Sequence, residues 1–120
     1  MTNVLAMRIA CAFGCLAVAL GAFGAHALKG ILETHDRVAT WDTAVFYHFI
    51  HAVMLFVVAA RTPFARGPWF LFLLGILVFS GSLYLLSVTN VRWLGAITPV
   101  GGVCFLLGWL WLLVCARPPR

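Results

Sequence analysis

A chain of 120 residues with 64% hydrophobic side chains, 9% charged ones and a mean hydropathy of +1.08 carries more apolar surface than a water-soluble domain of its size can bury, since such domains run at roughly 45–50% apolar. The bilayer is the solvent that accommodates this excess. The net charge of +5 comes from eight Lys and Arg against three Asp and Glu; the cations stand singly between apolar runs, with no basic stripe and no interleaved aromatics, which argues against a nucleic-acid partner.

Four apolar stretches, approximately 6–28, 41–60, 68–89 and 93–115, each come close to the roughly 20 residues that a helix needs to cross a hydrocarbon core about 30 Å thick. Short connections between them make successive helices antiparallel neighbours. The expected fold is an all-α four-helix transmembrane bundle, with residues 1–120 forming a single integral membrane domain.

The first span begins near Arg8 and ends near Ala25-His26-Ala27. Those flanks mimic a secretory signal peptide, but the apolar stretch exceeds the usual 7–15 residues, so the segment is expected to remain as a span. Gly14, Ala17, Gly21, Gly24 and Ala25 offer a small-residue surface for close helix approach. The segment up to Asp42 is polar, with Glu33, His35, Asp36, Arg37 and Asp42 expected to be solvated.

The second span holds Tyr47, His48 and His51, which share a helical stripe with Ala44 and Leu55. That stripe is expected to face the bundle. The third span carries Ser80, Ser82, Tyr84 and Ser87, and the fourth carries Thr98-Pro99, with a kink expected over 98–102. Gly75, Gly81, Gly95, Gly101, Gly102 and Gly108 suit close packing of these two helices. Cys11, Cys15, Cys104 and Cys115 all fall in apolar runs without metal-site spacing and are expected to be small buried hydrophobes. Trp41 and Trp93 at one boundary, and Trp69, Trp109 and Trp111 near the other, suggest two aromatic belts.

Residues 9–19, 52–60, 68–79 and 103–116 contain no Ser, Thr, Tyr, His, Asn or Gln. Antiparallel alternation therefore places the polar side chains of all four spans in the same half of the bilayer. Arg8, Arg61, Arg66, Arg117 and Arg120 on one side against Lys29, Arg37 and Arg92 on the other place both termini in the cytoplasm. The polar half is then the outer half.

Two imidazoles and a phenol at membrane depth need a partner, water or a function. The expected site is an outer-half pocket floored by Tyr47, His48 and His51, with Ser80, Ser82, Tyr84 and Thr98 as walls and His26 at its outer end. It would bind a small ligand, an ion or a lipid headgroup; lipid, quinone, haem and metal all remain open as occupants, and no cofactor is assigned. Neutral histidines can equally serve only as interhelical hydrogen-bonding dipoles in a structural or accessory protein. A proton or ion transporter is the third alternative, opposed by the wholly apolar inner halves. The chain shows no catalytic constellation. The glycine faces leave room for a homo-oligomer.

Successive motifs carry a family resemblance: Gly21-Ala22-Phe23-Gly24-Ala25-His26, Trp41 with Thr43-Ala44-Val45, Tyr47-His48 followed by His51-Ala52, Phe79-Ser80-Gly81-Ser82-Leu83-Tyr84, and Gly95-Ala96-Ile97-Thr98-Pro99-Val100-Gly101-Gly102. In this order they resemble the domain-of-unknown-function family 423, the YgdD-like small inner-membrane proteins of bacteria. The likeness runs from about residue 13 to Trp109. It implies a four-span protein of the bacterial inner membrane, and no established activity.

Overall fold

The structure, a computed structural model, describes residues 1–116; Arg117 and Arg120 of the charge comparison lie outside the described residues. Four long apolar helices form an elongated body of 50 × 25 × 22 Å, a length that suits a bilayer of about 40–45 Å including its headgroups. Helix α1 (Asn3–Ala25) starts where the Thr2 hydroxyl accepts the Leu5 N–H at 3.2 Å, a side-chain cap for an otherwise unpaired amide. Helix α3 (Val38–Ala60) is the second span. The third is composite: α4 (Arg66–Gly75), a π-helical turn (Ile76–Ser80) and α5 (Gly81–Thr89) follow without a break. It ends at Asn90, whose φ of 56° lies in the left-handed region that Asn tolerates.

Two elements differ from the sequence expectation. The polar connection between the first two spans folds into a short helix, α2 (Lys29–Thr34), anchored by buried Leu32. The fourth span is a 3-10 turn (Arg92–Ala96) followed by α6 (Thr98–Cys115). Pro99 is thus in the first turn of α6 and not at a kink within a helix. The first amides of a helix have no intrahelical acceptor, so a proline there forfeits no hydrogen bond.

Arg66 donates from Nη2 to the Met1 carbonyl at 3.0 Å, and Gly67 lies against Trp111. These contacts place the N-terminus, the α3–α4 loop and the end of α6 together, at what we call the termini end; α2 marks the other. Helix α1 packs along α3, α6 packs along α4 and the π turn, and α3 also packs on the third span.

Small residues govern both close interfaces. Ala6, Ala10 and Ala17 of α1 are buried, while Gly21 and Gly24 receive Val45 and Trp41. Gly14 has open space beside it and takes no part. Between α4–α5 and α6 the contacts are reciprocal: Trp111 on Gly67, Phe72 on Gly108, Phe105 on Gly75, and the Phe79 backbone on Gly101. Each glycine admits a ring or backbone that a methyl group would obstruct. The ascending and descending numbers are the register of antiparallel helices. In lipid, where burying apolar surface between helices has little driving force, such van der Waals fit carries association.

The termini half is closed by an apolar cluster that includes Ala6, Ala10, Leu55, Val58, Trp69, Phe72 and Phe105. The Trp69 Nε1–H within it has no hydrogen-bond partner among the described residues. The aromatic-belt expectation fails for Trp41 and Trp69, which are buried, whereas Trp93 is exposed. All four cysteines are free, and only Cys104 is buried; Cys11, Cys15 and Cys115 face outward. An apolar run in a bilayer has two apolar environments available, so hydrophobicity alone does not distinguish core from lipid face.

A lateral groove and its paired polar groups

The polar side chains of the α2 half are hydrogen-bonded, several of them across helices. Ser80 is fully buried and donates to the Ala44 carbonyl of α3 at 2.8 Å. Ser82 donates to the Phe79 carbonyl at 2.9 Å, and its oxygen lies 2.6 Å from Thr98 Oγ1. With the Ser82 hydrogen so used, Thr98 is the donor between the two hydroxyls. Ser87 donates to the Leu83 carbonyl at 2.7 Å. Outside the bundle, His35 Nδ1 reaches the Ser87 carbonyl at 3.0 Å and Arg37 donates to Asn90 Oδ1 at 3.3 Å. These two bonds tie the α2 region to the end of α5; both residues were expected to be solvated. Glu33, Asp36 and Asp42 are exposed, as expected.

His48 is buried between α1 and α5. Its Nδ1 lies 2.8 Å from the Tyr84 hydroxyl, and the Phe13 ring meets it edge-on at 6.0 Å between centroids. Nε2 is buried and closes no hydrogen bond among the described residues, with the Phe13 carbonyl the backbone group that faces the ring. A proton on Nε2 aims an N–H at that carbonyl and leaves Nδ1 to accept from Tyr84. That is the electrostatically favourable tautomer.

His51 lies on the opposite flank, near the middle of α3. Its Nδ1 is 2.7 Å from the Tyr47 carbonyl, and its Nε2 receives the Trp109 indole N–H at 3.0 Å. A carbonyl only accepts and an indole N–H only donates. The ring is therefore neutral, with its proton on Nδ1 and its lone pair engaged by Trp109. Phe105 stacks on it at 3.7 Å between centroids with the planes 14° apart. A proton or metal reaching Nε2 would have to displace Trp109.

Beside His51 runs a groove of about 380 Å³. Tyr47 and His51 of α3 and Phe79 of the π turn form one side; Pro99, Gly102, Val103, Phe105, Leu106 and Trp109 of α6 form the other. Its origin is topological. Helices α3 and α6 both pack on the third span and meet each other mainly through side chains. The π turn adds a residue to its turn and brings Phe79 against Gly101 while directing Ser80 to α3. The lining of the groove is mostly apolar and aromatic.

The residues proposed from sequence are therefore divided. Tyr47 and His51 share the groove, and Tyr47 is 38% exposed instead of turned fully into the bundle. His48, Ser80, Ser82, Tyr84 and Thr98 do not line it; they hold the helices together. His26 is exposed at the end of α1. Among the described residues, no three His, Cys, Asp or Glu side chains are grouped to hold a metal ion. Sequence reasoning missed Trp109, which supplies the partner of His51, and Phe105, which stacks on it. Both lie in a stretch read as wholly apolar, although an indole N–H is a donor.

A family model described as a protein of unknown function, DUF423, matches residues 20–102. The UPF0382 membrane protein YwdK of Bacillus subtilis is 48% identical over 108 residues, covering 84% of this chain and 86% of its own. UPF0382 membrane proteins of Staphylococcus haemolyticus and Haemophilus influenzae are each 42% identical, covering 82% and 81% of this chain and 84% and 81% of theirs. No solved structure matches the chain. With the motifs and four membrane-length helices in agreement, this chain belongs to the DUF423 family, whose relatives carry the name of UPF0382 membrane proteins.

Proposed function

We propose that the protein is a small binding protein of the bacterial inner membrane, which takes a membrane-soluble molecule from the bilayer into the groove beside His51. The observation that carries this is the groove itself: an aromatic-lined space of about 380 Å³ in the membrane-spanning region, with Tyr47, His51 and Trp109 as its polar residues. The His51–Trp109 bond and the Phe105 stack join the two sides of the groove in a defined geometry before anything binds. We take residues 1–120 as one domain with both termini cytoplasmic, supported by the sequence positions of five arginines on the side of the termini (Arg8, Arg61, Arg66, Arg117 and Arg120) against Lys29, Arg37 and Arg92 on the other.

The test is mass spectrometry of lipophilic molecules that copurify with the protein from native membranes, compared with a Gly102→Leu variant. A side chain at Gly102 extends into the groove, and its first carbon meets Phe79 only at 3.8 Å, an ordinary contact. A species retained by the native protein and lost from the variant is the expected result; identical extracts from both would overturn it.

A second reading has its own support. The bonds from Ser80, Ser82, Thr98, Tyr84 and His48 satisfy polar groups between helices, as a structural or accessory protein requires. Transport has less: below His51, among the described residues, the Leu55, Val58, Trp69 and Phe72 cluster offers only the Trp69 indole N–H, which donates but cannot accept and so cannot pass a proton on.

A further inference from the structure

We infer that the occupant of the groove is an uncharged, ring-headed acceptor of the quinone class, and that the Tyr47 hydroxyl is its hydrogen-bonding group. This rests on the proposal that the groove is a binding site, and adds the chemistry of what fills it.

Charge is the first discriminator. No residue lining the groove is charged, and α6 has no Lys, Arg, Asp or Glu between Thr98 and Cys115. A phosphate or ammonium headgroup there would lose its hydration without gaining a counter-ion, at a cost of several kcal/mol. The second discriminator is shape. Tyr47, Phe79 and Phe105 line the groove as one group of rings in mutual contact, with Tyr47 4.7 Å from Phe79 and 6.1 Å from Phe105 between centroids. Planar rings pack against such groups in offset or edge-on arrangements.

The third is the hydrogen-bond inventory. His51 and Trp109 satisfy each other, and the second His51 nitrogen is on the Tyr47 carbonyl. The Tyr47 hydroxyl is different: it makes no hydrogen bond with any described residue. It can donate to a carbonyl oxygen carried on a ring. A saturated acyl chain would leave that hydroxyl unused.

The experiment uses the full chain in phosphatidylcholine nanodiscs and two probes with the same ten-carbon tail, decyl-benzoquinone and decylbenzene. Binding is read as a saturable shift in thermal midpoint. Decyl-benzoquinone should bind the native protein about five- to tenfold more tightly than decylbenzene, the worth of one net hydrogen bond. Tyr47→Phe should remove that preference by weakening the quinone alone, and Gly102→Leu should abolish both. Equal affinity for the two probes, or a quinone affinity unchanged by Tyr47→Phe, would sink the quinone inference while leaving a groove that binds apolar molecules. No saturable binding of either probe, or binding indifferent to Gly102→Leu, would remove the binding function as well. So would a dimer that Gly102→Leu disperses, because a second copy would then fill the groove.

Discussion

The two flanks of α3 carry the same side chain three residues apart and use it in opposite ways. Both rings are buried, but His48 faces α1, where alanines and glycines let the helices approach closely. His51 faces α6, from which α3 is held apart by Phe105 and Trp109, and a groove opens beside it. One imidazole fills an interface; the other furnishes a wall. Residue type and depth in the membrane are nearly the same, so the spacing of the neighbouring helix decides the role.

The largest expected effect comes from overpacking the contact between α6 and the third span, beside the open flank. Gly101→Ala would drive a methyl group into the backbone of Phe79. Overpacking against rigid atoms costs about 1–3 kcal/mol, and the upper end is expected here, seen as the lowest thermal midpoint of the series in detergent. Preserved stability would mean that α6 does not sit where the groove requires.

His48→Ala and His51→Ala separate the flanks. Each strands a hydrogen-bonding partner, Tyr84 or Trp109, and each should lower stability by about 1–3 kcal/mol. Only His51→Ala should also abolish binding of a groove probe. Parallel loss of binding in both variants would erase the distinction between them.

Trp109→Phe should lower stability by about 1 kcal/mol and release the His51 lone pair. Diethyl pyrocarbonate at neutral pH should then modify His51 in the variant and spare it in the native protein, as read by peptide mass spectrometry. Equal modification would contradict the assigned tautomer. Smallest of all, Tyr47→Phe should change stability by less than about 0.5 kcal/mol, as for other exposed positions, because its hydroxyl holds nothing in the described structure. A larger loss would make Tyr47 a structural residue.

Much of this architecture was legible in the chain. Length and hydropathy sufficed for four spans, because a membrane admits few ways to satisfy a backbone. Helical spacing placed His48, Ser80 and Tyr84 in the same half of the bundle and offered interhelical hydrogen bonds as one use for them, without saying which would pair. It failed for Tyr47 and for the cysteines at positions 11, 15 and 115, which an apolar pattern cannot assign to lipid or core. The π turn was invisible too: one extra residue in a turn changes no hydropathy, yet it redirects Phe79 and Ser80.

The sequence by itself determined a four-span helical protein with its polar groups gathered in one half, because burial of unpaired backbone and charge in lipid is forbidden at any tertiary arrangement. Which polar groups meet each other and which meet a groove was decided only by tertiary structure. That outcome depends on the distance between α3 and α6, set by a glycine against a backbone and by two aromatic rings, and such distances are properties of packing that no local pattern encodes.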